Sequence, residues 1–337
     1  MRHIKNEEVL HTMKITQIRN ATNRLVYAGK TFLIDPWLSP SHMFTFADVP
    51  GHPYHIPDQV KEHLPMPFYD LPMSTEEILE DVDCVIVTHL HPDHIDISFA
   101  DGTVGAPLDK AVPILCQNEE DAVVLKKSGF QEITILPKEW MKIGDASIRQ
   151  VPALHGTYLP CGNAMGVLFE AKDEKTFYLA GDTIWYEEVA ATIEKFRPGV
   201  IALNACAAET LENGRLIMGD EDVWNVSLAA PDARLYITHM DNVPHASITR
   251  HMMRGRLASR GVVNYDMPAD GESVVYCCIL MDTNQSNYLT EICVQVRQIR
   301  LHVVTRLCCG NFCVVNHLGE GAEEGALTTA ITLWLTR

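Results

Sequence analysis

The most constraining feature of this sequence is a histidine-rich polar segment that directly follows a short apolar run. The segment extends from Asp83 to Ile95 and reads Asp-Cys-Val-Ile-Val-Thr-His-Leu-His-Pro-Asp-His-Ile. Its β-branched residues, Val85 to Val87, are typical of a buried strand. Three histidines and an aspartate within six residues are difficult to explain as packing. We therefore predict a strand that ends in a metal site.

The order of the polar residues predicts two neighbouring ions. Side chains two residues apart in an extended chain point the same way, so His89 and His91 can converge on one ion. Pro92 suits the first position of a turn, which redirects Asp93 and His94 toward a second ion. Imidazole and carboxylate suit zinc, manganese or iron, and the motif offers no thiolate that would single out zinc. The alternative is a polar loop whose histidines occur by chance.

With this motif the chain resembles the metallo-β-lactamase-fold superfamily, whose signature is His-x-His-x-Asp-His after a strand. Within it, the chain looks most similar to the metal-dependent hydrolases that include L-ascorbate-6-phosphate lactonase. The resemblance covers residues 13–272 and implies an α/β fold, a four-layer αββα sandwich, with two divalent ions, zinc or manganese. The alternation of strand and helix patterns along the chain also favours an α/β architecture. Residues 273–337 show no recognisable motif, and we predict a C-terminal extension, strand-rich or foreign to the hydrolase domain.

Further ligands are expected where other predicted strands end. His155, which is followed by Gly156, suits a third ligand for the first ion, and the resembled family has a histidine there. The resemblance implies that Asp182 bridges the two ions and that His239 completes the second. Asp182 has an alternative role as the N-cap of a helix predicted over Ile184–Phe196.

The remaining candidate residues have more than one interpretation. Asp35, at the end of a predicted strand, either orients a ligand histidine or is a turn residue before proline. His245, before a helix predicted over Ala246–Ser259, is a rival ligand, a substrate-contacting group or a satisfied loop histidine. We take Asp93, Asp182 and His245 as the candidate catalytic residues.

A long irregular segment over residues 39–73 is rich in proline and aromatic side chains. Loops of this length in compact domains are usually functional or disordered. We predict a lid over the metal site that shapes the substrate pocket, with His52 or His55 reaching inward. Coil packed on the surface is the alternative.

Composition limits the partners. The 337 residues carry a formal charge of −17, which disfavours nucleic acid, since phosphate backbones are bound by Lys and Arg patches. Apolar runs are shorter than the roughly 20 residues of a membrane span, and the charged Met1–Thr12 does not resemble a signal peptide. The ten cysteines form no disulfide framework, although a metal site in the cluster Cys-Cys-Gly-Asn-Phe-Cys is an alternative. We predict a cytoplasmic protein with a small-molecule substrate, and a homo-oligomer is compatible with the sequence.

These observations predict hydrolysis. Water bound to a suitable metal ion has its pKa lowered from 15.7 to about 7, which gives a hydroxide nucleophile at neutral pH. No Gly-x-Ser-x-Gly elbow offers a competing nucleophile. We predict attack on an ester, lactone, amide or phosphodiester, and the resemblance favours a small anionic substrate. A lipid phosphodiesterase of the phospholipase D type and a non-catalytic binding scaffold on the same fold are the alternatives.

Overall fold

The structure, a computed structural model, describes residues 12–45, 54–156 and 162–277 and the backbone of three later strands. The strands are β1 (Thr12–Arg19), β2 (Thr22–Tyr27), β3 (Lys30–Ile34), β4 (Cys84–Ile86), β5 (Ile114–Cys116), β6 (Ile133–Ile135), β7 (Met141–Ile143), β8 (Ala146–Ala153), β9 (Ala164–Glu170), β10 (Phe177–Leu179), β11 (Val200–Asn204), β12 (Glu209–Thr210), β13 (Gly214–Arg215), β14 (Arg234–Thr238), β15 (Tyr265–Asp266), β16 (Ser273–Cys277), β17 (Leu289–Arg297), β18 (Arg300–Cys309) and β19 (Phe312–Val315). The helices are α1 (Gln59–Glu62), α2 (Thr75–Leu79), α3 (Glu119–Lys127), α4 (Glu187–Phe196), α5 (Asp220–Ala229) and α6 (Arg250–Ser259).

Two large sheets form the centre of the fold. The first has the order β19-β18-β17-β16-β1-β2-β3-β4-β5-β6, and the second has the order β15-β14-β11-β10-β9-β8-β7. Strands β3 to β6 are parallel to one another, as are β10, β11, β14 and β15. Because parallel strands place their carboxyl ends at the same edge, residues that follow them gather at one end of each sheet.

Three apolar layers separate the sheets and helices. Within β4, Cys84 and Ile86 face the second sheet, whereas Val85 packs with Leu125 of α3 on the outer side, as the two-residue period of a strand requires. A third layer lies between the second sheet and the helices α4, α5 and α6. Complete burial of a side chain such as Phe169 stabilises the fold by about 1.5–3 kcal/mol. The predicted four-layer αββα architecture is confirmed.

One predicted helix starts later than expected because of a contact with a distant loop. The helix after Asp182 begins at Glu187 rather than at Ile184. The Ile184 N–H donates to the carbonyl of Leu154 at 2.9 Å, which holds this part of the chain extended. Asp182 is therefore not the N-cap of this helix. The N-cap is Tyr186.

A second helix is shortened in the same way. The helix expected from Ala246 begins at Arg250 with Thr249 as its N-cap. The N–H of Ile248 donates to the carbonyl of Cys206 at 3.1 Å, outside any helical pattern. In both cases a tertiary hydrogen bond overrides local helix propensity.

The described parts of the predicted lid contain a one-turn helix, α1, and an antiparallel bridge between Phe44 and Met66. The region after residue 272 opens with β16, which pairs antiparallel with β1, and the backbone of β17 to β19 continues this sheet. The side chains of the cysteine cluster lie outside the described residues. Among the helices that are described, none is both long and apolar enough to cross a membrane.

Candidate metal centre

The candidate site lies at the end of the sandwich where strands of both sheets terminate. Four of these strands are each followed closely by a polar residue of the site. These residues are His89 after β4, His155 after β8, Asp182 after β10 and His239 after β14. Gly181 makes the turn before Asp182 with a φ of +69°, and a Cβ there would lie 2.5 Å from the carbonyl oxygen of Met165. Glycine is therefore required to bring Asp182 into the site.

The first group of ligand atoms, the first donor set, consists of His89, His91 and His155. Their ring nitrogens lie within 4.8 Å of one another, and Nε2 of His89 is 2.9 Å from Nδ1 of His91. Nδ1 of His155 donates to the carbonyl of Leu216 at 3.1 Å. Nδ1 of His89 lies 3.1 Å from the Thr88 hydroxyl. These outer contacts leave Nε2 of His89 and of His155 facing inward, as metal ligation requires.

The second donor set consists of Asp93, His94 and His239. Nε2 of His94 lies 2.9 Å from Nε2 of His239, which is 3.3 Å from a carboxylate oxygen of Asp93. Asp35 accepts from Nδ1 of His94 at 2.9 Å, so the structure supports the interpretation that Asp35 orients a histidine of the site. The amide of Asn20 donates to the carboxylate of Asp93 at 3.1 Å.

Asp182 lies between the two sets. Its Oδ2 atom is surrounded by four imidazole Nε2 atoms, those of His94 at 3.2 Å, His155 at 3.5 Å, His239 at 3.6 Å and His89 at 3.7 Å. Its Oδ1 atom accepts from the amide of Asn204 at 2.6 Å. Asp182 is therefore placed to contribute to both donor sets.

The donor atoms fit divalent metal ions. A tetrahedral ion with bonds of about 2.0–2.1 Å holds its ligand atoms about 3.3 Å apart, and many of the separations within this cluster lie near that value. The side chains of His89, His94 and Asp182 are almost completely buried, and so many imidazoles around one carboxylate oxygen are not explained by ordinary packing. Nitrogen and carboxylate oxygen donors without a thiolate suit zinc or manganese.

The electrostatics differ between the two sets. Burial, followed by the nearby imidazoles, lowers the pKa of His89 well below its usual value, and the pKa of His91 falls to about 3. Burial also lowers the pKa of His94, but Asp182 and Asp35 outweigh it and raise that pKa to about 10. The carboxylates of Asp182 and Asp35 therefore favour positive charge in the second set, which a metal cation can supply.

Of the other candidate histidines, His245 lies at the site and His55 lies away from it. Nε2 of His245 lies 3.5 Å from a carboxylate oxygen of Asp93, and the ring faces the cavity. His55 does not reach the donor sets, because its Nδ1 lies 2.6 Å from Glu209. His52 lies outside the described residues.

Two asparagines of the site were missed by the sequence analysis. Asn20 adopts a left-handed conformation with a φ of +50° in the turn between β1 and β2, where nothing in the sequence indicates a site residue. Asn204 is the last residue of β11, and a polar residue at the end of a buried strand could have identified it from the sequence.

A cavity of about 70 Å³ opens onto both donor sets. It is lined by Tyr54, His91, Pro92, Asp93, His155, Asp182, Ala208, Leu216, Ile217 and His245. Ala208, Leu216 and Ile217 form an apolar wall. None of the described lining residues is a lysine or an arginine.

The αββα sandwich with a histidine and aspartate cluster at its strand ends defines a metallo-β-lactamase-like protein. Residues 30–240 match the family described as the Beta-lactamase superfamily domain, and the chain belongs to this superfamily.

Several relatives are named as hydrolases. The chain is 36% identical over 270 residues to the UPF0173 protein YddR of Bacillus subtilis, covering 78% of this chain and 100% of that protein. It is 26% identical to a UPF0173 metal-dependent hydrolase of Koribacter versatilis, over 58% of this chain and 72% of that one.

Among solved structures, an isothiocyanate hydrolase from Delia radicum gut bacteria is similar with a TM-score of 0.70 and 33% identity, covering 79% of this chain and 100% of that one. A possible metal-dependent hydrolase from Veillonella parvula has a TM-score of 0.69 and 33% identity, covering 78% and 98%. The predicted enzyme class, a metal-dependent hydrolase, is confirmed. The narrower resemblance to the L-ascorbate-6-phosphate lactonase group stays a prediction.

Proposed function

We propose that this protein hydrolyses a small, uncharged substrate at an electrophilic carbon, with one divalent ion held by each donor set and Asp182 shared. The observation that carries the proposal is the composition of the cavity. One side offers imidazole and carboxylate groups, and the other offers the apolar wall of Ala208, Leu216 and Ile217.

The metal-binding residues would be His89, His91 and His155 for one ion, and Asp93, His94 and His239 for the other. The chemistry that zinc or manganese supplies when bound is acidification of a water molecule, to a pKa of about 7, and polarisation of the bond under attack. The protein's own contribution is orientation, because hydrogen bonds behind the ligands fix their rings and carboxylates.

Proton transfer to the leaving atom is assigned to His245. Its ring faces the cavity, and its Nε2 lies 3.5 Å from Asp93, which can orient it. The burial of both side chains excludes bulk water from this transfer. His245 is therefore the proposed proton carrier, with Asp93 as its positioning partner.

The composition of the cavity supports an uncharged substrate rather than the anionic one that the family resemblance favoured. Anionic groups are usually held by Arg, Lys or helix N-termini, and the described lining residues include no arginine or lysine. The isothiocyanate hydrolase relative suggests a suitable substrate class. An isothiocyanate, R–N=C=S, is uncharged, has an electrophilic central carbon and reacts with one water molecule to give the amine R–NH₂ and carbonyl sulfide. Small lactones and esters share the electrophilic carbon and form the second group of candidates.

The test combines metal analysis with a substrate panel. Purified full-length protein supplied with zinc or manganese should bind about two ions per chain and consume allyl or phenethyl isothiocyanate, measured by loss of ultraviolet absorbance. A lactone, a carboxylic ester and a phosphodiester complete the panel. Absence of bound metal, or turnover restricted to the phosphodiester, contradicts the proposal.

Two variants locate the activity. His91→Ala should abolish turnover, whereas His251→Ala, which removes an exposed histidine of α6, should leave it unchanged. Equal activity of the two variants would place the reaction elsewhere on the molecule.

A further inference from the structure

The predicted lid returns to the metal centre at Tyr54. This side chain lines the cavity together with His91, His155 and Asp182, and its ring centroid lies 5.8 Å from that of His245. The ring is partly buried and also packs against the apolar core behind the cavity. Tyr54 therefore forms a fixed part of the cavity wall.

A small hairpin, β12 and β13, holds this part of the lid. Tyr54 forms an antiparallel bridge with Thr210, and the N–H of His55 donates to the carbonyl of Glu209 at 2.9 Å. The two side chains also meet, with Nδ1 of His55 2.6 Å from a carboxylate oxygen of Glu209. Consecutive lid residues are thus joined to consecutive hairpin residues through both backbone and side chain.

The same hairpin leads directly into the metal centre. Leu216, which follows β13, accepts a hydrogen bond from Nδ1 of His155 through its carbonyl and lines the cavity with its side chain. The turn after His155 packs closely here, since a Cβ on Gly156 would lie 2.7 Å from the Arg215 carbonyl oxygen. Tyr54 and Leu216 are therefore placed on one cavity by one structural element.

We propose that Tyr54 is a specificity-determining residue that contacts the uncharged group of the substrate, and that Glu209 is the positioning residue that holds Tyr54 there through His55. The proposal rests on the proposed function, because it assigns the substrate's non-reacting group to the space between Tyr54 and the apolar wall. A rigid aromatic ring beside Leu216 limits the size of that group and removes its apolar surface from water.

Kinetics on a size series test substrate contact. For methyl, allyl, benzyl and phenethyl isothiocyanate, Tyr54→Ala should raise KM by about tenfold for the larger compounds and reduce the preference among them. The value of kcat should change much less, since the metal ligands are untouched. Tyr54→Phe retains the ring and should keep the wild-type order of preference. Unchanged KM values and preference in Tyr54→Ala overturn the assignment.

The role of Glu209 is tested by rescue. Glu209→Ala should raise KM in the same direction as Tyr54→Ala but by a smaller factor, and Glu209→Gln, which can still accept from His55, should restore part of the loss. Glu212→Ala removes an exposed glutamate from the same hairpin and serves as the matched control. Equal effects of Glu209→Ala and Glu212→Ala contradict the positioning role.

Two measurements that need no turnover separate this proposal from the proposed function. In the metal-loaded full-length protein, Tyr54→Ala should speed removal of the ions by the chelator dipicolinate, because the cavity wall is opened. Glu209→Ala should increase hydrogen exchange at residues 54–56, where the control variant should not. If the wild-type protein hydrolyses none of the panel, the proposed function fails, and unchanged chelation and exchange rates then overturn the roles of Tyr54 and Glu209 independently.

Discussion

The two donor sets of the metal centre are built from similar side chains but are supported very differently. In the second set, the ring of His94 is held by Asp35 and the carboxylate of Asp93 by Asn20. Three residues at this side, Asn20, Asp35 and His239, adopt left-handed backbone conformations with φ of +50°, +45° and +68°. Such conformations persist where surrounding contacts over-determine them.

The first set is the more accessible one. His91 is only partly buried and lines the cavity, whereas His94 and His239 are completely buried. Loss of contact with water inside the cluster lowers the pKa of all three of its imidazoles. From this comparison we predict that an ion held by the second set would be bound tightly and that an ion held by the first set would exchange more readily and lie closer to the substrate.

The largest effect is expected from Asp182→Ala, which removes the residue shared by both sets. Loss of the buried carboxylate leaves four imidazoles without their common partner, so both ions should be lost together and turnover should fall to background. Metal content by mass spectrometry and hydrolysis rates measure this. Asp145→Ala, at an exposed turn, is the control, and retention of one full metal equivalent in Asp182→Ala would show that the sets are independent.

The next largest effect should distinguish the two sets directly. His91→Ala should leave about one ion per chain, bound to the second set, and abolish turnover. His94→Ala, which faces Asp182, Asp35 and His239, should lose that ion as well. Metal titration of both variants decides this, and identical metal content would contradict the proposed difference in support.

The sequence alone predicts best those residues of this centre that lie close together in the chain. The motif from His89 to His94 is contiguous, whereas His155, Asp182 and His239 were selected by the family resemblance together with their positions just after predicted strands. The structure brings all of them into one cluster. The four-layer architecture was also predicted from the resemblance, because the hydrophobic periodicity of a single segment does not indicate how the layers stack.

The residues that were missed depend on contacts across the whole chain. Asn20 meets Asp93 from 73 positions away, because the strand order β1-β2-β3-β4 of the first sheet brings the turn after β1 close to the residues that follow β4. The role of Asp35 remained open for the same reason, because its partner His94 lies 59 positions away. The helix expected from Ile184 was shortened by a hydrogen bond to the carbonyl of Leu154, which is also remote in the sequence.

A smaller effect is expected from Asp35→Asn, which keeps the shape of the side chain but weakens its hold on His94. Substitutions behind a metal ligand typically reduce metal affinity or activity by about 10–100-fold. We expect an affinity loss of this size for the ion of the second set and a much smaller loss for the ion of the first set. Competition with a fluorescent zinc chelator measures both affinities, and an equal loss at both ions would remove the distinction between the sets.

The smallest effect is expected from Thr88→Val, which tests whether the two sets are coupled at all. The hydroxyl of Thr88 donates to Asp35 at 2.8 Å and lies 3.1 Å from Nδ1 of His89, so it links the support of the second set to a ligand of the first. Its removal should lower the affinity for both ions by about tenfold, which is the lower end of the range for such contacts. Thr88→Ser should resemble the wild type. Weakening of the first ion alone would mean that Asp35 is held well enough by the Thr88 backbone N–H, at 2.7 Å, and that the two sets respond separately.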